Sequence, residues 1–248
     1  MNDGKKSIFS INKIDKYRTI NDLIEESREN GTYYTLLILS SIIIASGVLL
    51  ANSAILIGGM LVTPVLTPVL LIALGIVASR PQLLKRTSIL ILKSVLVILA
   101  ISFISGLLFS TPENTDFYKN VLFDNSLRAA FLYFLVAFAS GIAATFAWVR
   151  KETTNILPGI SIAVSLVPPL SMVAIWLSVG EGALMRFFFF VFLFNMIGII
   201  MGGMIVFSLM RFAESEKTID KKVAQVIEEE KKIKAEKSDP TNISEEIL

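Results

Sequence analysis

The chain contains no cysteine and no histidine among its 248 residues. Structural zinc, haem and iron–sulfur sites draw on those side chains, so no such cofactor is expected. Nucleophilic and general-base chemistry built on cysteine or histidine is excluded with them. Charge is scarce as well. Only 18% of residues are charged, against about a quarter in an average soluble domain. The net charge of +2 is too small to point to nucleic acid as a partner. The first thirty residues are polar, so no cleavable signal peptide is expected.

What the chain has in plenty is apolar: 54% of residues are hydrophobic and the mean hydropathy is +0.69. They gather in long uncharged runs, the mark of membrane spans. Six spans are predicted: Tyr33 to Leu50, Ser53 to Ser79, Ser88 to Phe109, Ala129 to Val149, Ile156 to Val179 and Phe187 to Met210. Each suits a hydrocarbon core about 30 Å thick with some tilt. The predicted division is a cytoplasmic amphipathic segment over 1–32, a transmembrane domain over 33–210 and a charged helical tail over 211–248.

Basic residues set the expected orientation. Lys5, Lys6, Lys13, Lys16, Arg18 and Arg28 precede the first span. Arg80, Lys85 and Arg86 lie between spans two and three, Arg150 and Lys151 between four and five, and Arg211 opens a lysine-rich tail. With six spans all of these share one side. Both termini are therefore placed in the cytoplasm, and the protein in the inner (plasma) membrane. Tyr33, Tyr34 and Trp148 suit an inner aromatic belt, Tyr133 and Trp176 an outer one.

Two spans carry prolines deep within them. Span two holds Pro64 and Pro68, and span five holds Pro168 and Pro169. Proline removes a donor and clashes with the preceding turn, so both spans are expected to break. In lipid, carbonyls freed in this way need protein or a water-filled cavity around them. The breaks fall at matching places in two halves. Ile44-Ala45-Ser46-Gly47 in span one parallels Phe138-Ala139-Ser140-Gly141 in span four, and Val62-Thr63-Pro64 parallels Leu166-Val167-Pro168. A unit of three spans enters the membrane from the opposite side on its second appearance. The expected fold is thus an all-α membrane protein of six transmembrane helices, arranged as two inverted three-helix repeats. Spans two and five are broken near the midplane, where their ends would face each other across a pocket.

At these residues the chain resembles the bacterial and archaeal membrane family called domain of unknown function 389. The likeness rests on Asn52 to Leu61 with Pro64 and Pro68, and on the run from Leu157 to Leu170. It extends over roughly Tyr33 to Phe207. Val65-Leu66-Thr67 departs from it, where the family often has a small residue before the second proline. The resemblance implies a multi-pass inner-membrane protein and no defined activity.

The candidate substrate-binding residues cluster at the breaks: Thr63, Pro64, Thr67 and Pro68 at the first, and Ser161, Ser165, Pro168, Pro169 and Ser171 at the second. Their hydroxyls either line a polar pocket or re-satisfy backbone groups that the prolines release. Lys93 and Asn195 join the set as polar residues inside spans. Lys93 is close enough to an end to snorkel, and Asn195 can equally serve as glue between helices. Gly198 with Gly202, and Ser102 with Gly106, mark close helix contacts or an oligomer seam. No aspartate or glutamate lies inside any span, which disfavours cation pumps and proton antiporters.

Outside the spans, Ile11, Ile14, Ile20, Leu23 and Ile24 form a short amphipathic pattern suited to the inner leaflet. Ile219, Val223, Val226 and Ile233 recur at near-heptad spacing. That suits a short coiled coil joining subunits or a solvated extension of span six. Two functions follow from the whole. One is a transporter or channel for a small neutral or anionic solute, working as a homo-oligomer among membrane lipids. The other is a non-transporting scaffold or sensor that recruits partners through its tail. An enzyme is the weakest reading.

Overall fold

The computed structural model describes residues 11–110, 127–150, 166–215, 219–226 and 228–229. The described chain is helical. α1 covers Lys13–Glu26, α2 Gly31–Leu49, α3 Ser53–Val62, α4 Leu66–Val77 and α5 Pro81–Phe109. α6 covers Leu127–Val149, α7 Val167–Val179 and α8 Gly182–Leu209, followed by a 3₁₀ turn over Phe212–Ser215. Among the described residues four helices are long and apolar enough to cross a membrane: α2, α5, α6 and α8. α3 and α4 are a further apolar pair, bent by 54° at a short break, with the geometry of a broken span or a re-entrant loop. The protein is membrane-embedded. α7 is apolar but has only 13 residues, and the first half of predicted span five lies outside the described residues.

Local chemistry explains where the helices begin and end. The Asn30 side chain accepts from Tyr33 N–H at 2.8 Å and caps α2. Asn52 accepts from the N–H groups of Ala54 and Ile55 and caps α3. Such caps satisfy orphan donors of the first turn. A residue in the left-handed region follows α2 at Ala51, α4 at Ser79 and α7 at Gly180. In each, the following N–H reaches back to a carbonyl of the last turn: Asn52 to Gly47, Arg80 to Gly75 and Glu181 to Trp176.

Close approaches fix the direction of each helix. A Cβ on Gly47 would meet Leu56, and one on Gly59 would meet Ile44, so α2 and α3 run antiparallel. Gly75 faces Leu84, which makes α4 and α5 antiparallel. Gly106 of α5 lies against Ile175 and Ser178 near the end of α7, whereas Leu166, before α7, lies near Ile91; these two run parallel. Gly198 faces Ala137 and Gly203 faces Thr145, so α6 and α8 are parallel too. The helix pairs fall into matched sets: α2 packs on α5 as α6 packs on α8, α5 on α7 as α8 on α4, and α4 on α5 as α7 on α8.

The small-residue pairs mark internal contacts in the chain. A Cβ on Gly141 would sit 2.5 Å from the Ile199 carbonyl oxygen, and one on Gly202 would overlap the Phe138 carbonyl. Gly198 and Gly202 therefore join α8 to α6, and Gly106 joins α5 to α7. Trp176, expected in an outer belt, is 2% exposed and belongs to the core.

The polar ends fold onto the bundle. α1 packs on α4 and α6 with Thr19, Ile20, Leu23 and Ile24 fully buried. Residues 219–226 are helical, and Ile219, Val223 and Val226 are buried as well. Lys222 pairs with Glu25, Glu229 with Arg28 and Asp220 with Arg80. The near-heptad stripe is thus spent within the same chain. This corrects both the intersubunit coiled coil and the solvated extension over the described part of the tail; Ile233 lies outside it. The face bearing α1 and the tail is called the α1 face below.

Candidate functional site

Proline chemistry builds the site. α3 ends at Val62, and Thr63 leaves the helix with ψ of 131°. Pro64 follows, and α4 starts at Leu66. Pro68, expected to break the span, is instead the third residue of α4. At that position its missing N–H would have had no partner one turn back, so the ring is tolerated. The same correction applies to Pro168 and Pro169, the second and third residues of α7. Both pairs of prolines therefore open or precede a helix. They also strip donors from these two N-termini, leaving Leu66 and Thr67 N–H on one and Val167 N–H on the other within the first three residues. Neither helix has a side-chain cap.

The two N-termini meet. Val65 and Val69 of one, and Leu166, Val167 and Leu170 of the other, line a single cavity between α5 and α8. α4 runs from it toward the α1 face and α7 runs from it toward the opposite face. The cavity is about 10 Å³, room for about one water molecule. Its lining repeats at a constant spacing of 101 residues (65 to 166, 69 to 170, 91 to 192, 95 to 196). The matching sequence register is therefore shifted by three residues from Pro64 against Pro168. At the same spacing Ser94 corresponds to Asn195.

The walls are apolar. Ser94 is among the lining residues, but its hydroxyl donates to the Leu90 carbonyl at 2.8 Å and sits 2.8 Å from the Tyr33 hydroxyl. Thr63 and Ser171 have buried hydroxyls that face no described partner, and neither lines the cavity. Thr67 is buried and its hydroxyl donates to a Glu26 carboxylate oxygen at 3.4 Å. Lys93 turns to Glu29, which also accepts from the Tyr34 hydroxyl. Asn195 is 5% exposed, within α8 beside the cavity-lining Phe192 and Met196. Ser161 and Ser165 lie outside the described residues.

Matching sequences give the family. The family described as domain of unknown function (DUF389) matches residues 60–201, a segment that holds the first break, α5, α6, α7 and most of α8. The chain belongs to DUF389. A DUF389 member of this kind has a curated relative in the uncharacterized protein MJ0678 of Methanocaldococcus jannaschii. The two are 27% identical over 195 residues, 77% of this chain and 57% of the relative. The chain thus spans little more than half the length of that relative. No solved structure matches the DUF389 chain.

Sequence reasoning missed Ser94, Tyr33 and Glu26. Ser94 was open to discovery through its spacing from Asn195. Glu26 left no signal, because it belongs to a segment outside every span. It is exposed along part of its length, and the packing around its carboxyl pushes the pKa above the ordinary 4.5; the Thr67 hydrogen bond opposes that rise and Asp22 adds to it.

Proposed function

We propose that this DUF389 protein is a carrier or channel for a small neutral or anionic solute, with its pathway crossing the joint between the α3–α4 break and the α7 N-terminus. The observation that carries the proposal is the meeting of two uncapped helix N-termini, from two halves of the chain, across one cavity. Their aligned peptide dipoles leave partial positive charge on both sides of it. An inverted repeat is the reading of the fold that fits this best. It is supported by the matched helix pairs and by the constant spacing of the cavity lining. Six spans with both termini in the cytoplasm, in the inner membrane, complete the proposal. The size and apolar walls of the cavity then describe a closed state, with the α4–α7 contact as its gate.

A scaffold is the second reading, and the small size and apolar lining of the cavity are the observation in its favour. Reconstitution separates the two. Purified protein in liposomes is expected to speed osmotic swelling or leakage for at least one member of a panel of small neutral and anionic solutes. Val65→Ile or Val69→Ile adds about the one methylene that the cavity can take, and would fill it and abolish that flux with the fold retained. Flux that survives both substitutions, or a folded protein that passes no member of the panel, would overturn the pathway.

A further inference from the structure

The spans contain no carboxylate, yet the structure brings one to the joint from outside them. Glu26 ends α1, and its carboxylate accepts the hydrogen bond from Thr67, the second residue of α4. Thr67 lies between the cavity-lining Val65 and Val69. The carboxylate therefore stands at the start of the helix that forms one wall of the cavity.

The neighbouring carboxylates are fastened differently. Glu25 pairs with Lys222 and Arg28, and Glu29 pairs with Lys93 and accepts from Tyr34. Glu26 has no ion pair among the described residues. Each element around it can be checked in turn. α4 offers Thr67. The tail helix turns Lys222 to Glu25, and Glu229 meets Arg28. On the α6 side, Arg18 donates to the Val149 carbonyl and pairs with Asp15. Beside the 3₁₀ turn, Lys16 donates to the Arg211 carbonyl. Within α1 itself Asp22 is the charge that acts on Glu26, and it disfavours ionisation. A partly desolvated carboxyl without a cation and next to another acid holds its proton to higher pH. Its exposed edge leaves it open to solvent protons.

We infer that Glu26 and Thr67 form a proton-binding site at the joint, whose occupancy sets how tightly the start of α4 closes on the α7 N-terminus. Ionised Glu26 sits at an uncapped helix N-terminus and holds α4 there through the Thr67 hydroxyl; this interaction weakens when the carboxyl takes up a proton. The inference adds a coupling ion to the pathway proposed above and rests on that reading only for its link to flux. It also removes the sequence argument against proton coupling, since the acid comes from α1 and not from a span.

Two measurements test it without any transport assay. In the first, purified full-length protein in lipid is titrated by infrared spectroscopy from about pH 8 to about pH 4. Wild type should show a carboxyl signal that is still protonated above the ordinary glutamate range. Glu26→Gln should lack it, and Thr67→Val should move its midpoint upward. Identical titrations for wild type and Glu26→Gln would overturn the site. In the second, the natural absence of cysteine makes Val65→Cys a unique probe of the joint. Its labelling rate by a small membrane-permeant maleimide should change several-fold across the Glu26 transition, and should be independent of pH in the Glu26→Gln background. Labelling that ignores pH while the infrared signal titrates would overturn the coupling. Absence of flux for every solute would instead fall on the pathway itself.

Discussion

Gly202 has no room for a side chain. A Cβ there would overlap the Phe138 carbonyl and lie 2.8 Å from Ile142 N, both backbone atoms that cannot rotate away. Gly202→Leu should therefore drive α6 and α8 apart and cost about 3 kcal/mol. A thermal-unfolding series in detergent checks this, with Gly58→Leu as the control, since a Cβ on Gly58 meets nothing within 4 Å. The spacing of Gly198 and Gly202 was legible in the sequence, but their partner was not. A small-residue stripe fits a neighbour in the same chain and a neighbour in another chain equally well, and only the path of α6 decides between them. Lys93 shows the same limit. Its place in a hydrophobic run was readable, whereas Glu29 comes from the loop before α2.

At the scale of elements, the tail helix and α1 brace each other. Burying Ile219, Val223 and Val226 is worth roughly 5 to 9 kcal/mol, before the cost of ordering the segment. The surrounding ion pairs are exposed enough to add little each. Val223→Asp should therefore release the tail, with trypsin cutting sharply faster at Lys221 and Lys222. Charge reversal at Asp220 should have a far smaller effect. The pH dependence has a definite sign. The Lys222 hydrogen bond, opposed by partial burial, holds the Glu25 carboxyl below 4.5, with Arg28 helping. Its stabilising contribution is present above the unfolded value and is lost as pH falls through the lower folded one. Glu26 has the opposite sign, since its folded pKa is raised. The prolines were legible as breaks, yet their placement was not. Residues that cannot donate are tolerated in the first turn of a helix, so Pro68, Pro168 and Pro169 begin helices where a simple reading has them end one.

For the whole molecule, the apolar helical character followed from hydropathy, because lipid forces each span to be long and uncharged; against the six predicted spans stand four long apolar helices and one bent pair among the described residues. What hydropathy cannot reveal is how polar ends dock, since α1 and the tail have ordinary amphipathic patterns. The orientation has a direct test in the cysteine-free chain. Lys85→Cys should react with an impermeant maleimide from the cytoplasm, and Ser53→Cys from the opposite side. Ser53 is preferable to Asn52, whose side chain caps α3. The reverse pattern would invert the proposed topology.

α5 has 29 residues and α8 has 28. At 1.5 Å per residue each is about 42 to 44 Å long, well beyond the roughly 30 Å of hydrocarbon. The cavity sits near the middle of both, between Ile91 and Ile98 on one and Phe192 and Met196 on the other. Two such struts carry the joint of α4 and α7 on their own framework. In a thin or a thick bilayer their overhanging ends can slide or lean while their middles hold that joint, so the geometry there should respond only weakly to the lipid thickness of the host.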